Sequence, residues 1–219
     1  MPSRPLTAVL LALALAQGCD PQDSSPVPQP VPGLVRQSTP MLSQADQLVL
    51  GLAGAVAGEG KVHVEDRTGG ARVEAVSAAS GSFSAVIAAG ADAELVLRFE
   101  TDEGISDPVS LRRKRVFDPP PTLAPANHQA QVVTPPDAQG QVSVSNDAGP
   151  GQPPHIAATA DVTVIVSNDA NGEVVSSTTD GNGLFTVTLG GAHGDPIRIL
   201  LVDPDTVDLT SDFLTYQVP

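Results

Sequence analysis

Acidic and amide side chains gather in the last third of the chain, and their oxygen atoms are of the kind that bind calcium. Asp169 and Asn171 stand in one predicted turn, and Asp180 and Asn182 stand in the next. Ca²⁺ prefers such oxygen ligands, but no run here has the spacing of an EF-hand loop with its terminal Glu. Asn-Gly and Asp-Gly pairs also mark hairpin turns. The sequence predicts turns and no cofactor, with calcium at these four residues as the alternative.

Other side chains that could carry chemistry are scattered. The four histidines have no metal-ligand spacing and no thiol beside them that could complete a zinc site; they are His63, His128, His155 and His193. No G-x-S-x-G turn presents a serine nucleophile, and no Gly-rich phosphate loop precedes a helix. We therefore predict surface histidines and a protein that is not an enzyme, with no small-molecule substrate.

The single cysteine, Cys19, follows an apolar stretch at the N-terminus. Residues 6–16 are uncharged, Arg4 precedes them, and the stretch is too short to cross a bilayer as a mature helix. It has the pattern of a secretory signal. The segment LAQGC, residues 15–19, resembles the bacterial lipobox, although Ala16 and Gln17 depart from its commonest residues. The resemblance implies that residues 1–18 are removed and that Cys19 is lipidated.

Lipidation would fix the location of the protein. Two or three acyl chains hold a soluble protein on a membrane without a transmembrane helix. We therefore expect a secreted chain that is lipid-anchored to the bacterial cell envelope. The sequence does not choose between the inner and the outer membrane.

Charge and aromatic content limit the partners. The chain has 25 acidic and 11 basic residues and a net charge of -14, which argues against a nucleic-acid partner. It has no Trp and one Tyr, so it offers poor platforms for stacking sugars. Four basic residues stand together at 112–115. We interpret them as a charged edge that discourages sheet aggregation, with contact to an anionic surface as the alternative.

Residues 19–45 are rich in Pro, Ser and Gln. Such a composition buries too little apolar surface to offset the entropy of ordering. The sequence predicts a disordered or extended tether that spaces the rest of the chain from the membrane.

An internal repeat organises the remainder of the chain. Shifted by 102 residues, the sequence matches itself mostly at alternate positions, without a gap. The matches include Val62 with Val164, Val64 with Val166, Gly81 with Gly183 and Phe83 with Phe185. Alternation of apolar residues indicates strands with one buried face, and the Gly, Asn and Asp residues between them indicate turns. We predict an all-β protein with two tandem antiparallel β-sandwiches.

The order of these motifs resembles the immunoglobulin-like modules of bacterial surface and adhesin-type proteins. The resemblance covers residues 46–118 and 138–219, with 119–137 as a Pro-rich linker. The stretch TDGNGLF at 179–185 also resembles prealbumin-like modules. Both families are β-sandwiches. The resemblance implies a stalk, a spacer or a binding unit without catalysis.

Two functions follow from this organisation. The first is a non-catalytic structural stalk or scaffold of the envelope. The second is an adhesin-like module that binds an envelope protein or surface polymer through loops, above all residues 147–159, with or without calcium. The sequence leaves open whether the two modules pack on each other.

Overall fold

The computed structural model describes residues 25–38, 46–111, 118–124 and 132–219. As predicted, the described part of the chain is all-β. It contains sixteen strands, and the described strand pairings are antiparallel. The first eight are β1 Val35–Gln37, β2 Asp46–Gly51, β3 Gly60–Asp66, β4 Arg72–Ser77, β5 Phe83–Ala88, β6 Leu95–Thr101, β7 Gly104–Ile105 and β8 Val109–Leu111. The others are β9 Leu123–Ala124, β10 Gln141–Ser145, β11 Ala157–Ala158, β12 Thr163–Asn168, β13 Val174–Thr178, β14 Thr186–Gly190, β15 Pro196–Val202 and β16 Thr210–Gln217.

Module 1, residues 25–111, is a sandwich of two strand groups. One has the order β1-β2-β5, and the other has the order β4-β3-β6 with β7 and β8 beside β6. The groups join only where Ser77 pairs with Phe83. Alternate residues of the strands fill the space between the groups with apolar side chains, as expected for half-buried strands. The largest of them are Phe83, Phe99, Ile87, Leu95 and Leu97.

Module 2, residues 118–219, repeats this arrangement. A two-stranded sheet, β10-β14, faces a four-stranded sheet with the order β13-β12-β15-β16. Its core includes Ile156, Phe185, Leu189, Ile197 and Ile199.

The strand registers agree with the repeat found in the sequence. His63 lies opposite Glu74 and Arg98 in module 1. The residue 102 positions later, Ile165, lies opposite Ser176 and Leu200, which are themselves 102 positions after Glu74 and Arg98. The first and the last strands depart from this shift. A longer loop connects β10 to β12, and the last strand is displaced by three further residues, because Val109 lies opposite Leu97 in module 1 whereas Leu214, 105 positions after Val109, lies opposite Ile199 in module 2.

The structure corrects the tether expectation over residues 25–38. Val27 and Val35 are buried in the core of module 1, and β1 pairs with β2. The Val31 N–H donates a hydrogen bond of 2.8 Å to the Ala55 carbonyl oxygen. The strand itself contains no proline, so its backbone groups can pair with β2, and the burial of the two valines offsets part of the entropy lost on ordering the segment. Residues 19–24 and 39–45 lie outside the described residues.

The linker expectation for 119–137 is corrected in the same way. Leu123–Ala124 pairs with Ala157–Ala158, and Val132 and Val133 are buried in the core of module 2. Val133 also forms a bridge to Val144 of β10. These residues belong to the second module rather than to a spacer, while 125–131 lie outside the described residues.

The two modules pack face to face. The outer surface of β2 and β5 in module 1 lies against the outer surface of β12, β15 and β16 in module 2. The described residues therefore form four layers of β structure, of which the two inner layers are covered on both sides. This contact fixes how the two copies of the repeat are placed.

Candidate functional site

The contact between the modules has its own apolar core, separate from the two sandwich cores. Leu48 and Leu50 of β2 point away from the core of module 1 and meet side chains of module 2. The buried members of this contact are Leu48, Leu50, Ile165, Leu200, Val202 and Phe213, with Leu52, Val86 and Val174 at its border. Burying one such side chain stabilises the folded state by about 1.5–3 kcal/mol. The contact is therefore a substantial part of the folded core.

A chain of polar groups lies beside this apolar contact. The Ser84 hydroxyl of module 1 donates to Asp169 Oδ1 at 2.5 Å and accepts a hydrogen bond of 2.9 Å from the Ser167 hydroxyl. The other carboxylate oxygen, Asp169 Oδ2, accepts from Arg198 Nε at 2.8 Å. Both side chains of this ion pair are 18% exposed. Asp169 thus joins a cation of module 2 to a hydroxyl of module 1.

Arg198 is held by two further contacts on its own module. Its guanidinium carbon lies 5.8 Å from the centre of the Phe213 ring, within range of a cation–π interaction. It also donates a hydrogen bond to the Thr215 hydroxyl. These contacts orient Arg198 toward Asp169, and all of them lie within module 2, whereas Ser84 binds Asp169 from module 1.

Two more hydrogen bonds cross between the modules. The Ser82 hydroxyl donates to the Gly172 carbonyl oxygen at 2.9 Å, in a buried position. The Thr210 hydroxyl donates to the Gln37 carbonyl oxygen at 3.0 Å. Backbones also approach closely, because a Cβ placed on Gly172 would stand 2.4 Å from the Val76 carbonyl oxygen. Several separate points of the contact therefore fix the orientation of one module on the other.

The first pair of calcium candidates lies in the turn between β12 and β13. Asp169 is engaged at the module contact, as described above. Asn171 accepts a hydrogen bond from the Glu173 N–H and donates one to the Gly190 carbonyl oxygen. Asp169 and Asn171 therefore use these oxygen atoms to hold the protein's own structure.

The second pair lies at the opposite end of β13. Asp180 Oδ1 accepts hydrogen bonds of 2.8 Å from the N–H groups of Asn182 and Leu184. The Leu184 bond and then the Asn182 bond lower the pKa of Asp180, since both favour the charged carboxylate. The five residues of β13 separate the two turns by about 17 Å. The structure does not bring the four candidates together.

Within the ranges that the structure describes, no three His, Cys, Asp or Glu side chains come close enough to share a metal ion. His155 donates its backbone N–H to the Asn146 carbonyl oxygen, and the His193 ring bonds to the Pro219 carbonyl oxygen. His128 lies outside the described residues. These histidines serve local loop contacts.

His63 has a more specific setting, which the sequence did not indicate. It lies on the outer face of the β4-β3-β6 sheet, with Nε2 at 2.6 Å from Glu100 Oε2 and Nδ1 at 3.6 Å from Glu74 Oε1. A shallow groove of about 370 Å³ passes over this face, and Arg98 and Ile105 also line it. The register across three strands brings these groups together, so a search along the sequence could not have found them.

The predicted binding loop, residues 147–159, is anchored at both ends. The buried Asn146 amide donates to the carbonyl oxygens of Ile156 and Gly183, and its oxygen accepts the Phe185 N–H at 2.7 Å. The Ile156 side chain is buried in the core of module 2. The residues between them, 150–154, are exposed to solvent. The loop is therefore an exposed tip on a fixed base.

Cys19 and the basic run 112–115 lie outside the described residues; Leu111, at the end of β8, is buried against module 1. Among the residues with described structure, no helix has the length and apolar character needed to cross a membrane. The lipid anchor therefore stays a prediction from the sequence.

No protein-family model and no curated protein matches the chain. Solved structures similar to it include the BSP domain of a biofilm associated protein, at 14% identity and a TM-score of 0.30, with 84% of this chain and 29% of that chain covered. Another is a segment of two fibronectin type-III domains from chicken tenascin, at 15% identity and a TM-score of 0.24, with 84% and 95% covered.

A third is a Ca²⁺-stabilized adhesin of an Antarctic bacterium, at 17% identity and a TM-score of 0.24, with 84% of this chain and 46% of that chain covered. The chain thus spans less than a third of the solved biofilm-protein chain and less than half of the solved adhesin chain. The sandwich topology and the strand registers described above define the fold: two tandem immunoglobulin-like β modules, joined through a buried contact of their own.

Proposed function

We propose that this chain is an envelope lipoprotein, anchored through lipid on Cys19, whose two modules act together as a rigid, non-catalytic structural scaffold. The observation that carries the proposal is the apolar contact between the modules, with the Asp169–Arg198 ion pair beside it. Small polar contacts between domains normally allow relative motion. An apolar contact with oriented polar bonds at its border holds the modules as one body.

The packing of residues 25–38 supports a scaffold close to the membrane rather than one on a long tether. Ser25 is the first described residue, and its hydroxyl donates to the Ile105 carbonyl oxygen in module 1. Six residue steps separate it from Cys19, a span of at most about 20 Å. A lipid on Cys19 would therefore hold the rigid body within that distance of the bilayer surface.

Intact mass spectrometry of the protein purified from its native membranes tests the anchor. We expect a chain that begins at residue 19 and carries two or three acyl chains. A chain without lipid, or one that begins elsewhere, would refute the anchor and leave the scaffold without its place at the membrane.

Replacement of the native gene by single variants tests the scaffold. Cys19→Ser removes the anchor, and Leu200→Ser breaks the contact between the modules. We expect both strains to lose envelope integrity under osmotic and detergent challenge as the deletion strain does. The control is Arg98→Ser, at the position of module 1 that corresponds to Leu200, and it should behave as the native strain.

A second candidate function is adhesin-like binding of a protein or polymer through the loop 147–159. The observation in its favour is the exposed tip at 150–154 on the base held by Asn146 and Ile156, because a preformed loop loses little entropy on binding. Replacing 150–154 by Gly and Ser residues at equal length separates the two functions. A defect in that strain with a normal Leu200→Ser strain would favour binding over the scaffold.

A further inference from the structure

The contact between the modules joins two different faces of the repeat. In module 2 the contacting surface is the outer face of β12, β15 and β16, with Val174 of β13 at its border, and we call it the head face. In module 1 it is the outer face of β2 and β5, which we call the tail face. Each module contains both faces, so module 1 has a head face and module 2 has a tail face that the contact does not use.

A contact between unlike faces can continue indefinitely. When one face of a unit binds a different face of the next, the assembly grows into an open stack unless its rotation closes a ring. The contact between the two modules leaves the head face of module 1 and the tail face of module 2 unused. A second copy of this chain could dock on either end if those faces matched the faces used inside the chain.

The free head face differs from the buried one by charge. Where module 2 has Ile165, Leu200 and Val202 in the contact, the corresponding residues of module 1 are His63, Arg98 and Glu100. Glu74 and Glu100 flank His63, and Arg72 pairs with Glu65 at 2.9 Å on the same face. An apolar surface placed over these charged groups would remove their remaining water and supply no new hydrogen-bond partner, which is costly.

The free tail face, on module 2, differs from the buried tail face of module 1 because it carries hydroxyl groups in place of apolar side chains. The strand registers place Ser143 and Ser145 of module 2 where module 1 has Leu48 and Leu50, and Thr188 where module 1 has Val86. Ser145 and Thr186 share a hydrogen bond of 2.8 Å, and Thr186 and Thr188 are exposed. This face offers no apolar surface comparable to that of Leu48 and Leu50.

We infer that the contact between the modules is a stacking interaction of the repeat itself, and that the charged head face and the hydroxyl-rich tail face stop it after two modules. The partner that these faces exclude is a second copy of this chain. The buried apolar side chains outside the two sandwich cores belong to the one pair of faces that meet within the chain, and the polar groups on the two free faces keep a second copy from docking there. The inference concerns assembly and does not depend on the proposed scaffold.

Two complementary variants of the full chain test the inference. One restores the head face with His63→Ile, Arg98→Leu and Glu100→Val, and the other restores the tail face with Ser143→Leu, Ser145→Leu and Thr188→Val. We expect each variant to sediment as a monomer alone, because its own opposite face stays polar. When the two are mixed in equal amounts, we expect a complex of twice the monomer mass.

The mixtures of each variant with the native chain are the controls, and both should stay monomeric. If a single variant associates with itself, the adhesion is unspecific and the inference is overturned. The inference is also overturned if both variants fold but do not form a complex when mixed. Circular dichroism checks the folding of each variant. If a triple variant does not fold, the single variants Arg98→Leu and Ser145→Leu are mixed instead. Sedimentation should then show weak association of the two single variants, and no association of either one with the native chain. A native chain that forms dimers at the same concentrations would also overturn the inference.

Discussion

Both carboxylate oxygens of Asp169 receive hydrogen bonds, one from Ser84 and one from Arg198. In sequence this residue is one of several acidic side chains in turns and suggests a cation ligand. In the structure it joins the two modules. The difference arises because the neighbours of Asp169 that matter are 85 and 29 residues away along the chain.

Gly172 and Gly70 occupy corresponding turns and have similar left-handed backbones, with φ of 71° and 77°. A Cβ at Gly70 meets nothing within 4 Å, whereas one at Gly172 would stand 2.4 Å from Val76 O. We expect Gly70→Ala to lower the free energy of unfolding by about 1 kcal/mol, from backbone strain alone. Gly172→Ala should cost at least about 1 kcal/mol more.

Urea unfolding of the two variants measures this difference, with Gly70→Ala as the matched control. Equal losses would mean that the close approach of the two modules at Gly172 is relaxed without cost.

The stability of the protein should also depend on pH through the single residue Asp180. Its pKa is lowered below the ordinary 3.8 by hydrogen bonds from the N–H groups of Leu184 and Asn182. The unfolded chain therefore binds the proton more tightly, and the contribution of Asp180 to stability is present above about pH 4 and lost as the pH falls through the folded pKa. We expect Asp180→Asn to reduce the acid loss of stability, measured by urea unfolding at pH 6 and pH 2.5. Identical pH dependence in both proteins would contradict this.

The strands show which elements local sequence can specify. β3, β4, β5, β6 and β14 carry apolar residues at alternate positions, and the internal repeat relates β5 to β14. β1, β9 and β11 have two or three residues beside prolines or in loops, too few for a pattern. They become strands because an adjacent strand offers unpaired backbone groups.

Truncation tests the contribution of the β1 segment. Removing residues 1–38 deletes the buried side chains of Val27 and Val35 together with the pairing of β1 to β2. We expect a loss of about 3–6 kcal/mol in the stability of module 1, from the apolar burial of two valines. A chain without residues 1–24 is the control and should unfold as the full chain does. A similar stability for both truncated chains would restore the tether interpretation.

At the scale of the whole molecule, the module contact should make unfolding cooperative. Leu200 is fully buried in that contact, while Arg98 occupies the corresponding, exposed position of module 1. We expect the native protein to unfold in one calorimetric transition. Leu200→Ser should lower stability by about 3 kcal/mol or more and split the transition in two, because it opens a cavity and buries a hydroxyl in the contact.

Arg98→Ser is the matched control and should leave a single transition with a stability change within about 0.5 kcal/mol. Two transitions in the native protein would mean that the modules unfold independently and that the contact does not couple them.

The sequence by itself determined the all-β class, the two copies and most of their strands, because alternation and turn residues act over a few positions. The sequence also contained two strand segments that are apolar on both faces, Leu48-Val49-Leu50 and Ile199-Leu200-Leu201-Val202. Only the tertiary structure decided what covers the second face. The pairing of faces depends on contacts between residues that are distant in the sequence. At corresponding positions of the same outer sheet face, module 1 carries charged side chains and module 2 carries apolar ones.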